Sequence, residues 1–238
     1  MTAAADTGSR DKAARQNPRQ DSNTADFNRL ARIYRWMEYA SFGPWLWWCR
    51  CAFLAELSGC RRAAILGDGD GRFTAKLLAA NPDLEIDAVD ASEAMLRSLA
   101  RRAEQHMDRL RMHCTDARDW QPGASDYDLI VTHFFLDCLT TAEVRALAAK
   151  MRSAAAPTAR WLVSEFAQPE RRLGRAAGRS IVWLLYRAFG LLTGLEVRSL
   201  PDHRAALREA GFAVERRRAW LGGLLVSELW SAQSQADT

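Results

Sequence analysis

The sequence has no uninterrupted apolar run long enough to cross a bilayer, which takes about 20 residues. Its longest apolar stretch, Ser180 to Gly194, is broken by Arg187. The first twenty or so residues are rich in Ala, Asp, Ser, Arg and Gln, and they lack the apolar core of a signal peptide. We therefore expect residues 1–22 to be a disordered tail and the protein to be cytoplasmic. Peripheral contact with a membrane surface through the arginine-flanked segment 179–192 is left open.

Cysteine spacing and charge argue against two further classes of protein, zinc-binding and nucleic-acid-binding proteins. The chain has five cysteines, an odd number whose spacing fits no zinc site, so we expect reduced thiols and no bound metal. The net charge of +4 comes from arginine-rich composition, without a dense basic stripe carrying interleaved aromatic residues. Nucleic acid is therefore not an expected partner. A chain of 238 residues with 48% hydrophobic content is sufficient for one large α/β domain.

Strand-like and helix-like segments alternate regularly after residue 60. This rhythm predicts a doubly wound, mostly parallel sheet. The pattern Thr140-x-x-Glu143 is a capping box that opens one of the helices. Two apolar runs flank Gly222-Gly223 near the C-terminus and predict an antiparallel hairpin. The expected strands are residues 62–66, 84–89, 111–114, 127–132, 160–164, 212–221 and 224–230. Helices are expected before the first strand, and one of them covers residues 45–57.

Three glycines alternate with two aspartates in Ala64 to Leu78, "AILGDGDGRFTAKLL", at the junction of the first strand and the next helix. A helix N-terminus offers free N–H groups, and glycine lets a ligand approach the backbone closely. The carboxyl end of the first strand is also where open α/β sheets bind ligands. Gly67, Gly69 and Gly71 therefore predict a cofactor turn, with a tight connection of no functional role as the alternative.

Asp90 ends the second strand in "AVDASEAML", at 90 − 71 = 19 positions after Gly71. A carboxylate there can accept hydrogen bonds from both hydroxyl groups of a ribose, although an aspartate can also merely open the next helix. A dinucleotide turn of the form G-x-G-x-x-G would need a third glycine where Arg72 or Thr74 stands. An NAD(P)-dependent oxidoreductase is therefore the weaker interpretation.

Four motifs in order resemble class I S-adenosylmethionine-dependent methyltransferases: "ILGDGDGRF", "VDASEAML", "CTDARD" and "YDLIVTHFFLDCL". The resemblance implies S-adenosylmethionine as methyl donor and a seven-stranded sheet in the order 3-2-1-4-5-7-6, with an antiparallel C-terminal hairpin. It also implies that Asp116 bonds the adenine amine and that Ala117 packs near the ring. The implied cofactor-binding residues are Gly67, Asp68, Gly69, Gly71, Asp90, Ala91, Met95, Asp116, Ala117 and Thr132.

The N-terminal "FNRLARIYRWMEYASFG" is similar to the ubiquinone/menaquinone-biosynthesis type of small-molecule methyltransferase, in which Tyr34 would close over the cofactor. This implies a helical cap at residues 23–60, a core at residues 61–238, and an acceptor-side helical insert at residues 168–200. One departure is Gly67, where the family usually has an acid that holds the cofactor's amino group. Asp68 or Asp70 is then expected to supply that charge.

Methyl transfer needs a base only when the acceptor must lose a proton. His133 follows the fourth strand and is the predicted base, with Tyr34 as a second catalytic candidate. The alternative for His133 is a structural histidine bonded to the adjacent loop. Tyr186 and His203 are weaker acceptor-side candidates, and Asp137 is interpreted as a loop or cap residue.

Tryptophans in the N-terminal cap and the insert favour a small, apolar or aromatic acceptor, with a place in the hydrophobic core as the alternative for most of them. The predicted reaction is methylation of such an acceptor on carbon or oxygen. The alternatives are a non-catalytic nucleoside-binding protein of the same fold and, less favoured, the NAD(P)-dependent oxidoreductase.

Overall fold

The computed structural model describes residues 44–123, 125–167 and 201–233. Its seven strands form one sheet in the order β3-β2-β1-β4-β5-β7-β6. The strands are β1 (Arg62–Leu66), β2 (Glu85–Asp90), β3 (Leu110–Cys114), β4 (Tyr127–His133), β5 (Ala155–Phe166), β6 (Phe212–Trp220) and β7 (Leu225–Ala232). The helices are α1 (Pro44–Arg50), α2 (Arg72–Ala80), α3 (Glu93–Arg102), α4 (Thr141–Ala154) and α5 (His203–Glu209).

The sheet is parallel from β3 to β5, and β7 runs antiparallel to both β5 and β6. The predicted strand order and C-terminal hairpin are therefore confirmed. Leu66 at the end of β1 pairs with Val89 on one side and Thr132 on the other. The next residues of all three strands, Gly67, Asp90 and His133, consequently meet at one edge of the sheet.

The sheet has a hydrophobic core on each face because its central strands are apolar on both sides. One core joins β1, β4 and β5 to α4 and α5, with Trp161 and Trp230 fully buried. The other joins them to α2, α3 and the segment before β1, with Phe53 and Phe73 fully buried. The predicted capping box is present at the start of α4, where Thr140 and Glu143 bond each other's backbone N–H groups.

Several element boundaries differ from the sequence predictions. Residues 45–57 form two short pieces, α1 and a 3₁₀ helix at Leu54–Leu57, rather than one helix. The chain bends between them because Cys49 is anchored to the sheet: its thiol donates to Val226 O (3.2 Å), and its carbonyl accepts from Ser164 Oγ (3.3 Å). Strand β5 begins at Ala155 rather than at residue 160, since it pairs with Tyr127 across a register shift.

Some predictions fall on residues outside the described ranges. These are the tail, most of the helical cap with Tyr34, and the insert with Tyr186 and the segment 179–192. Among the described residues, no helix has the length and apolar character needed to span a membrane. The described part of the chain likewise contains no group of three or more metal-ligating side chains. All five cysteines are free thiols.

Candidate cofactor-binding site

The connection from β1 to α2 requires glycine at three positions. Gly67, Gly69 and Gly71 have φ angles of 68°, 65° and 77°, in the left-handed region that other residues adopt only at a cost. The free space above them differs. A Cβ at Gly67 would lie 2.5 Å from Phe135 Cδ2, and one at Gly71 would lie 2.6 Å from Leu99 Cβ, whereas one at Gly69 would meet nothing within 4 Å. Gly69 is therefore the position at which this turn is open to a ligand.

Asp68 is buried at the turn, and its two carboxylate oxygens have different surroundings. Its Oδ2 accepts from Thr74 N (2.9 Å) and Thr74 Oγ1 (2.7 Å). Its Oδ1 has no hydrogen bond to any residue that the structure describes, and Arg50 Nη1 lies 3.8 Å away. Burial raises the pKa of Asp68, while Arg50 and Thr74 oppose that rise. The orphaned oxygen is an acceptor suited to an ammonium group, because buried acceptors are normally satisfied.

Asp70, the other aspartate expected to replace the missing acid, is already bound to two arginines. Its Oδ2 lies 2.9 Å from Arg72 Nε and 3.1 Å from Arg102 Nη2. Arg102 Nε also donates to the Asp70 carbonyl (3.0 Å), so this aspartate ties the turn to α3. Of the two residues expected to replace the missing acid, Asp68 is the one with an unused acceptor.

Asp90 lies at the end of β2, next to the open position of the turn. Its carboxylate accepts from Ser92 N (2.8 Å) and from the backbone N–H of Gly69. Burial, together with the charge of Asp68, raises the pKa of Asp90 to about 6. Asp90 therefore orders the start of α3 and stands beside Gly69, and its role toward a ribose stays a prediction. Of the other residues expected in this segment, Ala91 is exposed and Met95 is buried on α3.

Asp116 follows β3 and is held by Arg118. Arg118 donates to both carboxylate oxygens, at 3.0 Å from Nε to Oδ1 and 2.7 Å from Nη2 to Oδ2, and it also contacts Glu143 (2.6 Å). The pKa of Asp116 is lowered, chiefly by the hydrogen bonds from Arg118. Ala117 is buried. The predicted bond from the adenine amine to Asp116 would therefore share this carboxylate with Arg118.

Thr132 is fully buried, and its side chain forms a hydrogen bond inside the hydrophobic core. Its Oγ1 accepts from Trp161 Nε1 (3.0 Å), which satisfies the only polar group of a fully buried indole. The resemblance placed Thr132 among the cofactor-binding residues. The structure shows its hydroxyl group engaged in the core, because this side chain faces the α4 side of the sheet, and its role toward the cofactor stays a prediction.

His133 ends β4 and is sealed beneath Phe73, with ring centroids 4.4 Å apart. Within the described part of the chain, neither ring nitrogen has a hydrogen-bond partner, and the alternative bond to the adjacent loop is not formed. Burial, assisted by the charge of Arg50, lowers the pKa of His133 well below its usual value. The imidazole is therefore neutral, and its role as a base stays a prediction.

The loop after β4 is strained and aromatic. Phe134 has a φ of 52°, a conformation that costs a non-glycine residue about 1–3 kcal/mol. Arg50 lies over its ring, with 5.4 Å from the guanidinium carbon to the centroid. His203, a weaker acceptor-side candidate, is bound elsewhere, to Glu228 on β7 (3.4 Å).

Two residues of this region were missed from the sequence. Arg50 reaches the carbonyl oxygen of Asp68 (3.4 Å), and Glu165 is fully buried at the end of β5. The available signal for Glu165 was a carboxylate inside the apolar strand "RWLVSEF". No local pattern indicated Arg50, since its partner lies 18 positions away.

Comparisons with known proteins bear on the domain and the fold. Residues 65–161 match a family model described as "Methyltransferase domain". The match to a methyltransferase domain thus applies to this part of the chain. The match covers the turn, Asp90, Asp116 and β4, and it supports the predicted enzyme class for this part of the chain. A comparison with curated proteins gives no match.

Solved structures share the fold of the methyltransferase domain at low identity. The mitomycin 7-O-methyltransferase MmcR is 21% identical over 80% of this chain, with a TM-score of 0.62, and this chain spans 54% of its length. The N-methyltransferase NodS from Bradyrhizobium japonicum, in complex with S-adenosylhomocysteine, is 16% identical, with a TM-score of 0.63, over 88% of this chain and 98% of its own. A Burkholderia thailandensis 1,6-didemethyltoxoflavin-N1-methyltransferase is also 16% identical, with a TM-score of 0.60, over 93% of each chain.

Proposed function

We propose that this protein transfers a methyl group from S-adenosylmethionine to a small, apolar or aromatic acceptor. The observation that carries the proposal is the convergence of Gly69, Asp68 and Asp90 at the carboxyl ends of β1 and β2. Among residues 44–123, 125–167 and 201–233, Gly69 leaves open space, Asp68 Oδ1 lacks a hydrogen-bond partner, and the Asp90 carboxylate lies beside the Gly69 N–H. These features fit a ligand that carries both a ribose and an ammonium group.

Each end of the donor has a matching group in this chain. Asp90 would accept from the ribose hydroxyls, and Asp116 would accept from the adenine amine. Asp68 Oδ1 would accept from the ammonium group, with Arg50 nearby as a cation for the carboxylate of the same amino-acid end. When bound, the donor supplies an electrophilic methyl group, and the protein aligns the acceptor and excludes water.

An apolar, ring-containing acceptor is supported by the aromatic side chains just after β4 and at the end of β5. Phe134 and Phe166 pack with ring centroids 5.1 Å apart, and Phe135 is partly buried against Gly67. Two of the structural neighbours are described as methyltransferases acting on mitomycin and on 1,6-didemethyltoxoflavin, both small molecules. We propose methylation on oxygen or carbon, with His133 as base where the acceptor must lose a proton.

A non-catalytic nucleoside-binding protein is the second candidate. It is favoured by the ion pair between Arg118 and Asp116, which occupies the adenine-side carboxylate, and by the sealed position of His133. The two candidates differ in one respect: both bind the donor, but only the enzyme consumes it in the presence of an acceptor.

Calorimetric titration tests the donor-binding part of the proposal, and consumption of S-adenosylmethionine in the presence of an acceptor tests the transfer. The wild type and Asp90→Asn would be titrated with S-adenosylmethionine, S-adenosylhomocysteine, 5′-methylthioadenosine and NADH. Asp126→Asn is the matched control, because Asp126 forms a surface ion pair with Arg62 just before β4, at the opposite edge of the sheet. We expect S-adenosylmethionine and S-adenosylhomocysteine to bind the wild type and the control but not Asp90→Asn. Binding of NADH alone would reject the proposal.

Comparing 5′-methylthioadenosine with S-adenosylhomocysteine tests which residues contact the amino-acid end of the ligand. That compound keeps the nucleoside but lacks the ammonium and carboxylate groups. Arg50→Gln is therefore expected to weaken S-adenosylhomocysteine binding about tenfold, as befits the loss of a charge-assisted hydrogen bond. Methylthioadenosine binding should stay unchanged in the same variant, and equal losses for both ligands would place Arg50 away from the amino-acid end.

A further inference from the structure

Glu165 is a fully buried carboxyl group one residue beyond the last paired position of β4 and β5. Its Oε1 accepts two backbone hydrogen bonds from the loop after β4, from Phe135 N (3.1 Å) and Leu136 N (2.8 Å). A backbone bond from Asp137 also reaches the carboxyl group. Its Oε2 has no hydrogen-bond partner among the described residues. Glu165 therefore accepts the hydrogen bonds of amide groups in the loop after β4, which no longer pair with a neighbouring strand.

That loop forms one wall of the candidate site. Phe134 N donates to Ser164 O (2.7 Å), and the left-handed φ of Phe134 then turns the chain so that the following amides point at Glu165. Phe135, the first residue held by Glu165, packs directly against Gly67 of the cofactor turn. The position of the Phe135 ring relative to the turn thus depends on the bonds that Glu165 makes.

The surroundings of Glu165 favour its neutral form. Burial raises its pKa well above the usual value, the charge of Asp137 adds to the rise, and the backbone bonds only partly oppose it. Other titratable groups that face Glu165 do not reverse this. The thiol of Cys49 on α1 is neutral, because burial raises its pKa to about 12. Glu228 on β7 is already paired with His203, Arg204 and Arg217.

We propose that Glu165 acts as a neutral acid that positions the loop Phe134–Cys138 at the methyl-transfer site. Oε1 collects the amide donors, and Oε2 carries the proton. Glu165 is a positioning residue, because it acts on the ligand through Phe135 and the turn. This inference rests on the proposed function, since the role of the loop is to complete the donor site.

Two substitutions test the inference. Glu165→Gln keeps an oxygen for the amides and replaces the hydroxyl with an NH₂ group, whereas Glu165→Leu removes every acceptor at similar volume. Each variant would be titrated with S-adenosylhomocysteine, and its unfolding in urea would be followed between pH 5 and pH 8. We expect Glu165→Gln to bind within about twofold of the wild type and Glu165→Leu to bind about tenfold more weakly or worse.

The pH dependence of the free energy of unfolding separates a protonated Glu165 from a residue that only fills space, because a packing role alone does not depend on pH. A carboxyl group whose folded pKa is raised holds its proton in the folded state while the unfolded chain has lost it. Its contribution to stability is therefore full below the unfolded pKa near 4.5 and is lost as the pH rises toward the folded value. The wild type should lose stability relative to Glu165→Gln as the pH rises from 5 to 8.

The outcomes separate the two proposals. If the wild type binds no S-adenosylhomocysteine, the proposed function fails and the positioning role falls with it. If the wild type binds and Glu165→Leu binds equally well, only the positioning role is overturned. If Glu165→Gln binds as poorly as Glu165→Leu, or if its stability follows the pH in parallel with the wild type, the neutral acid is rejected. Should Glu165→Leu fail to fold, hydrogen exchange at the amides of Phe135 and Leu136 in Glu165→Gln decides, with retained protection supporting the inference and lost protection overturning it.

Discussion

Gly67 offers a direct test of why this turn lacks the usual acid. Gly67→Ala introduces two separable costs. The φ of 68° costs a residue with a Cβ about 1–2 kcal/mol. The new Cβ would also lie 2.5 Å from Phe135 Cδ2, and overpacking of this kind costs about 1–3 kcal/mol. We expect Gly67→Ala to lower the free energy of unfolding by about 2–5 kcal/mol.

Gly69→Ala is the matched control, because the φ of Gly69 is 65° and a Cβ added there would meet nothing within 4 Å. It should cost only the backbone contribution, about 1–2 kcal/mol. Urea unfolding of both variants measures the difference. Phe135→Ala removes the ring and leaves only Cβ, 3.2 Å from the new methyl group. In that background, the cost of Gly67→Ala should fall to that of Gly69→Ala.

Equal destabilisation by Gly67→Ala and Gly69→Ala would refute this reasoning, and so would an unchanged cost of Gly67→Ala in the Phe135→Ala background. An aspartate at position 67 would have the same two costs, and its carboxylate would also lie in the space of the Phe135 ring. With Phe135 in this position, we expect the acid that binds the donor's amino group to be Asp68.

Three further predictions concern charges and hydrogen bonds around the sheet. Thr74→Val removes the hydroxyl donor to Asp68 and should lower the free energy of unfolding by about 1–3 kcal/mol, while Thr74→Ser should cost clearly less; equal losses in urea unfolding would contradict the role of that bond. Asp90, with a pKa of about 6, must be ionised to accept from a ribose, so S-adenosylhomocysteine affinity should fall as the pH drops from 7 to 5; a flat profile would refute this role. Burial alone would raise the pKa of Glu228, but the hydrogen bonds and charges of His203 and Arg204 outweigh it and lower that pKa from 4.5 to about 2. Glu228 therefore contributes stability that is present above pH 4.5 and lost as the pH falls toward 2. The wild type should lose about 3 kcal/mol more than Glu228→Gln across that window, and parallel curves would contradict the assignment.

The sequence was sufficient to predict the fold because local signals and motif order agreed. Alternating strands and helices, the three glycines and the position of Asp90 are all short-range features, and the structure has each of them at the expected place. The strand order came from the resemblance rather than from the pattern itself. Boundaries were less accurate, as in residues 45–57, where the anchoring of Cys49 to the sheet overrides helical periodicity.

The contacts that define the site could not be predicted in the same way. Gly67 faces Phe135, and Glu165 holds the amides of Phe135 and Leu136, about 30 positions away. Such contacts depend on the register between β1, β4 and β5, which no local pattern encodes. The hydroxyl group of Thr132 and the ring of His133 show the same limit, since their surroundings come from Trp161 and Phe73.

A crystal structure of the protein grown with S-adenosylhomocysteine would show whether the glycine turn binds the donor. We expect the nucleoside over Gly69, with its ribose hydroxyls within hydrogen-bond distance of Asp90 and its amino group at Asp68 Oδ1. A ligand bound away from the Gly67–Gly71 turn, or one whose ribose leaves Asp90 without contact, would contradict the claim that this turn is the donor site.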